Sequence, residues 1–174
     1  MFTVLVLNDG RNDYLEQTLF TFFEQVRFPD PPYKMLVDDM PEGRDVSFLE
    51  RLATRYRFDE LILNDSNLGL FGTVMKAWSL LPTRTRYIFH LENDFVFPET
   101  VDVRQLVTVL DEPSIWNVTL LRQAWYEDER LAGGMIQSKP GWFREAVVQG
   151  IPVCLQQRYF GFNPGMRKGH GRQP

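Results

Sequence analysis

A short β-rich apolar run, a polar turn, then apolar residues at the helical period: this alternation recurs through the first half of the chain. Phe2 to Leu7 is the first run, and it closes in Asn8-Asp9-Gly10, a turn signal. Tyr14, Leu15, Thr18, Leu19, Phe22, Phe23 and Val26 then fall on one helical face, with Asp13 and Glu16 spaced as a capping pair. Pro29, Pro31 and Pro32 stop that helix. Lys34 to Val37 is a second strand ending in Asp38-Asp39, and Val46 to Tyr56 a second helix with Phe48, Leu49, Leu52, Ala53 and Tyr56 inward. Leu61 to Leu63 ends in Asn64-Asp65, and the next helix carries Val74, Ala77, Trp78 and Leu81. Tyr87 to Leu91 is the fourth strand, followed by Glu92-Asn93-Asp94. Short buried strands joined by crossover helices predict an α/β fold with a mostly parallel central sheet, helix-flanked, with right-handed connections. In such sheets a ligand sits beyond the carboxyl ends of the strands, where these polar pairs gather.

The second half is less regular. Val103, Leu106, Val107 and Leu110 predict a helix, and Ile115 to Leu121 a fifth strand. Trp125 to Glu129, with Gly133-Gly134, reads as an exposed loop, and Met135 to Gln137 and Val153 to Phe162 as further strands. Arg167 to Pro174 is a basic, Gly-rich tail expected to be mobile. At 174 residues the chain is expected to be one domain, divided into 1–98, 99–165 and the tail 166–174. A net charge of −4 argues against a dedicated nucleic-acid binder but leaves room for a nucleotide. Cys154 is the single cysteine, which precludes an internal disulfide and fits a reducing compartment. The amino-terminal run is too short for a signal peptide or membrane span and lacks a basic flank, so the expected location is cytoplasmic.

The stretch FHLENDFVFPE, residues 89–99, carries the most specific chemistry. If strand geometry persists through residue 94, Glu92 and Asp94 share a face. Two carboxylates held that close repel unless a positive charge lies beside them. A divalent cation such as Mg2+ or Mn2+, completed by substrate phosphates, answers that need. The competing reading is a solvated turn with both acids facing water.

Several ordered blocks together resemble the family 2 glycosyltransferases with the GT-A fold, across residues 3–165. TVLVLNDGRNDYLEQTL is similar to that family's opening strand, Arg-bearing turn and first helix. MLVDDMPEG resembles its second strand with the Asp pair that meets base and ribose. NLGLFGTVMKAW is similar to the Asn-x-Gly loop near the donor, YIFHLENDFVF to the strand bearing the DxD-type metal motif, in its Glu-Asp-Asp-Trp version. YFGFNPGM resembles the acceptor-side block of the same subgroup. The motif departs from the pattern at Glu92, Asn93 and Phe95, and the chain ends soon after Asn163-Pro164.

The resemblance implies a metal-dependent transfer from a uridine- or guanosine-type nucleoside-diphosphate sugar to an acceptor hydroxyl, with inversion. The acceptor would be a glycan, a protein or a small molecule. Asp94 would contact the metal, with Glu92 direct or through water, and His90 and His170 as further candidate ligands. A satisfied place in the core is the other reading of His90. Asp38 and Asp39 would hold base and ribose, and Asn8, Arg11, Asn67, Gly69, Lys76 and Asn93 would line the donor site. Lys76 divides between a diphosphate contact and a solvated helix face. Glu127, Asp128 and Glu129, beside Trp125 and Tyr126, are the candidate general bases, against the alternative of a solvated acidic loop. The basic tail, with Arg167, Lys168, His170 and Arg172, is a candidate lid over the diphosphate. Two rivals stand beside this reading. One is a domain that binds nucleotide or a partner without turnover. The other is a sugar-nucleotide pyrophosphorylase, disfavoured because Asn8-Asp9-Gly10-Arg11 is a poor phosphate loop.

Overall fold

The computed structural model of the chain describes residues 1–121, 123–124 and 126–157. The elements run β1 Phe2–Asn8, α1 Asn12–Gln25, β2 Val26–Arg27, β3 Tyr33–Asp38, α2 Val46–Arg55, β4 Glu60–Leu63, α3 Gly69–Ser79 and β5 Tyr87–Glu92. After them come β6 Val101–Asp102, α4 Val103–Leu110, α5 Glu127–Ala132, α6 Met135–Ser138, β7 Phe143–Val148 and β8 Ile151–Gln156. The chain divides into two compact units, Met1–Arg104 and Gln105–Pro174.

The first unit holds a four-stranded sheet in the order β4-β3-β1-β5, every neighbour parallel. This is the α/β architecture that the alternation predicts. Its registers bring the strand ends level: Asn8 stands beside Asp38, Asp38 beside Leu63 and Leu7 beside Glu92. The crossover through α3 leaves β4 at one edge and returns the chain at β5, on the far side of β1. The strand order therefore reverses between β1 and β5, and a crevice at that point is where ligands bind in such sheets.

Alternation along β1 splits the core. Leu5 and Leu7 pack with Met35, Val37 and Ala77, joined by Tyr33, Ile62, Val74 and Leu81. On the opposite face Phe22 of α1 meets Phe89 and Phe97 edge-to-face, at centroid separations of 5.1 and 5.4 Å. Two helical positions read as inward face solvent instead: Tyr14 on α1 and Trp78 on α3 are each about half exposed. Asp13 and Glu16 form no capping pair, since α1 starts after Arg11 without a side-chain cap. Glu16 pairs instead with Arg55 at 3.0 Å. α2 has the true cap, Asp45, whose carboxylate accepts from Phe48 N at 2.9 Å.

The second unit departs furthest from the sequence reading. No strand forms over 115–121, and Trp116 is almost wholly exposed there. Apolar content alone does not make a strand; a ladder must accept its N–H and C=O groups. The acidic run expected as a loop is helix α5, since acids in a first turn complement the helix dipole and Gly133, at φ 89, closes its far end. Residues 135–137 belong to helix α6 rather than a strand, because so short an apolar run does not distinguish the two. β7 and β8 form an antiparallel hairpin around Gln149-Gly150, whose φ values of 50 and 80 make a primed two-residue turn. The expected strand from Val153 begins two residues earlier, and its continuation past 157 lies outside the described residues. So do the Tyr159–Met166 block, Trp125, His170 and the rest of the proposed lid. Among the described residues no helix is long and apolar enough to cross a membrane.

Candidate functional site at the carboxyl ends of the sheet

Each strand of the sheet delivers a polar residue to its carboxyl end, and several of these are buried. Asn8, Asp38, Asn64 and Asn93 are at most 2% exposed. Buried polar groups need partners, and these find one another. Asn8 Nδ2 donates to Asp38 Oδ1 at 2.7 Å. Asn93 Nδ2 donates to Asn8 Oδ1 at 3.0 Å and to Asp9 Oδ1 at 2.7 Å. A continuous polar row thus crosses from β3 through β1 to the turn after β5.

Arg11 completes the row on the solvent side. Its Nε donates to both Asp9 oxygens, at 3.0 and 3.1 Å, one terminal nitrogen to Asp94 Oδ2 at 2.9 Å, and the other to Asn93 Oδ1 at 3.0 Å. Burial opposes the charge on Asp9, but the bonds from Arg11 and Asn93 prevail and hold its carboxyl below the usual range. The bond to Asp9 outweighs burial and, with Asp94, pushes the Arg11 guanidinium above its ordinary value. The positive charge that the acidic strand end requires is therefore supplied by the chain itself.

Asp38 is fully buried. Arg44 Nε lies 2.6 Å from its Oδ2, as an ion pair rather than an aligned hydrogen bond, and Met40 N donates to the same oxygen at 3.3 Å. Asp39 Oδ1 accepts from Asn64 Nδ2 at 3.0 Å and from Leu68 N at 2.8 Å. Burial raises the Asp39 carboxyl, but the bonds from Thr73, Leu68 N, Asn64 and Gly69 N win and lower it. Lys76 Nζ donates to Asn64 Oδ1 at 2.8 Å, so here its side chain buttresses the end of β4. Asn67 Oδ1 accepts from Gly69 N at 3.0 Å, which shapes the entry to α3.

The acidic triplet is not laid out as strand. β5 stops at Glu92 and the chain turns at Asn93 and Asp94, so the two-residue period does not carry residues 92 and 94 to a common face. The turn brings Asp94 to Arg11 instead. His90 is exposed rather than set in the core, because β5 is an edge strand. Partial enclosure lowers its imidazole against the opposing charge of Glu92. Among the described residues, no group of three or more His, Cys, Asp or Glu side chains is arranged to hold a metal ion.

The three candidate bases belong to the second unit. Glu129 is buried and accepts from Tyr126 N at 3.3 Å, while Glu127 pairs with Arg130 and Asp128 with Lys139 at 3.1 Å. Arg44 and Thr73, which the sequence does not single out, both touch the Asp pair or its partners. Arg44 sits in the PEGRD loop directly after that pair, the one signal that could have raised it.

No family model and no curated protein matches the chain. Among solved structures it is similar to S. aureus TarS, a glycosyltransferase, with a TM-score of 0.50 and 18% identity. The match covers 64% of this chain and 19% of that one, so the chain spans about a fifth of the length of the protein it matches. At that identity the likeness speaks to the fold alone, which is α/β with a mostly parallel central sheet flanked by helices.

Proposed function

We propose that this chain is a glycosyltransferase domain. In this reading it binds a nucleoside-diphosphate sugar, of uridine or guanosine type, with Mn2+ or Mg2+, and passes the sugar to an acceptor hydroxyl with inversion. The observation that carries the reading is the polar row from Asp38 through Asn8 and Asn93 to Asp9, Arg11 and Asp94. It lies at the carboxyl ends of parallel strands, at the one point where strand order reverses.

The residues present do not make a cage for a resident cation: Arg11 already neutralises Asp9 and Asp94, and among the described residues no group of three acids is arranged for an ion. Asp94, with Glu92 direct or through water, would contact an ion that arrives with the substrate diphosphate. A bound divalent ion would stabilise the charge that grows on the departing diphosphate. Asp39 would orient the nucleoside by accepting from its N–H or hydroxyl groups, and Asp38, fully buried between Asn8 and Arg44, would support that pocket from behind. The acceptor oxygen bonds to the anomeric carbon as the carbon–oxygen bond to the diphosphate breaks, and the bonding pair leaves on the diphosphate. The hydroxyl proton passes to a carboxylate base. Glu127 and Asp128 keep that candidacy because both are exposed, whereas Glu129 is committed to the start of α5.

The test is release of free nucleoside diphosphate from uridine- and guanosine-type sugars in the presence of Mn2+. Excess chelator should abolish it, and Asp94→Asn should lower it about a hundredfold while circular dichroism stays unchanged. Full release under chelation would refute metal dependence. The guanidinium between the acids favours one second reading, nucleotide binding without turnover. Ligand binding with no release from any donor would establish that reading instead.

A further inference from the structure

Helix α3 carries two apolar faces. Thr73 and Ala77 are buried, and Val74 packs with Leu81 against the core cluster that includes Ala77. A second face holds Leu68, Phe71, Met75 and Trp78, which are 43, 79, 50 and 50% exposed. At the helical period these four fall within an arc of about 80°. Lys76 is the one charged residue of α3, and its Nζ is drawn to Asn64 Oδ1 at 2.8 Å, so the stripe bears no charge. Its backbone is held in place as well. Leu68 N donates to Asp39 Oδ1 at 2.8 Å and Gly69 N to Asn67 Oδ1 at 3.0 Å, so little ordering remains to oppose binding.

A helix that is apolar on both sides belongs between two layers. Large side chains offer about 200 Å² each, so the exposed fractions amount to roughly 500 Å², high in the range for the largest patch on a monomer. Two such stripes together reach the roughly 1,000 Å² that a specific interface needs. The spacing of the stripe names the second one. Steps of three, four and three residues read the same from either end, about Thr73. Two antiparallel copies of α3 crossed there by a two-fold axis set Phe71 against the second copy's Met75, and Leu68 against its Trp78. Each residue meets its complement twice, as a two-fold interface requires, and the central pair is a sulfur–aromatic contact.

We propose that this face of α3 is a self-association surface, on which two copies of the chain pack α3 against α3, antiparallel, across a two-fold axis. A lipid surface fits it less well, because helices that lie on membranes flank their apolar face with Lys and Arg, and this stripe has none. The dimer stands whatever the crevice binds.

The experiment is sedimentation equilibrium of the full chain. An interface at the lower size limit gives an affinity on the order of micromolar, so dimers should predominate at tens of micromolar chain. Phe71→Glu and Met75→Lys each bury an unpaired charge beside the axis. Each should weaken dimerisation at least about tenfold while circular dichroism stays unchanged. Mixed in equal amounts, the two variants should pair with each other more tightly than either pairs with itself, because position 71 of one faces position 75 of the other. Trp78→Gln should also weaken the dimer, and it serves if Phe71→Glu folds poorly. A native chain that stays monomeric, or a dimer that survives all three substitutions, would overturn the proposal. A mixture no tighter than its components would overturn the antiparallel two-fold pairing. Monomers that instead bind vesicles of anionic phospholipid would assign the stripe to a membrane surface and overturn it likewise.

Discussion

Asn93 spends its whole amide on the site: two donor bonds from Nδ2 to Asn8 and Asp9, and one accepted at Oδ1 from Arg11. An aspartate there would set a carboxylate against Asn8 Oδ1 and Asp9 Oδ1 in a buried place, with nothing to donate. The chemistry of the row, rather than chance drift, accounts for an amide in the middle of Glu92-Asn93-Asp94. Asn93→Asp should therefore destabilise the fold by about 2–3 kcal/mol at neutral pH, read by urea unfolding. A change under about 0.5 kcal/mol, the size of an ordinary surface substitution, would refute the row. Asp39 gives a second residue-scale prediction. Its folded carboxyl is lowered, so its contribution is full above the ordinary aspartate value of about 3.9 and is lost as pH falls below that, through its depressed native value. Asp39→Asn should flatten the acid limb of the stability profile below about pH 4. An acid limb as steep as the native one would place the titrating groups elsewhere.

At the scale of elements, the first unit was legible and much of the second was not, for physical reasons. β1, β3, β4 and β5 are short apolar runs between strong turn signals, and each is paired on at least one side. The errors fall where local pattern and context separate. Val26 reads as the end of the first helix but joins β2, paired with Val101, a partner remote in sequence. Glu127 to Glu129 read as a solvated loop because acids there are polar all round, yet Glu129 is buried and closes the start of α5. The β7–β8 hairpin escaped because its turn is Gln-Gly rather than the stronger Asn-Gly or Asp-Gly signal. That turn makes a sharp test. Gln149→Asn suits φ 50 better and should stabilise the hairpin by a few tenths to about 1 kcal/mol, whereas Gly150→Ala at φ 80 should cost about 1 kcal/mol. Hydrogen exchange at Val148 and Ile151 reports both, and equal protection in the two variants would contradict the primed turn.

Across the molecule, the sequence carries the place of the candidate site but not its internal bonding. Asn8-Asp9, Asp38-Asp39 and Asn93-Asp94 are visible as polar strand ends because α/β sheets put them there. That Arg11 bridges Asp9 and Asp94 depends on β1 and β5 being neighbours, a fact of strand order that no local pattern states. The same strand order makes binding a reporter of the native sheet. A nucleoside diphosphate held between the β1 and β5 turns has its site only where those strands lie side by side, so the unfolded chain cannot compete for it. At about a hundredfold excess over its dissociation constant such a ligand adds about 2.7 kcal/mol. For a chain of this size that raises the unfolding midpoint by about 5–10 °C. Thermal scans with uridine and guanosine diphosphates should show this rise with Mn2+ and lose most of it when the ion is chelated. The bare nucleosides, which bring no diphosphate to Arg11, should give the smaller shift in both conditions. If neither diphosphate moves the midpoint with or without Mn2+, the crevice at the strand reversal is not a nucleotide site.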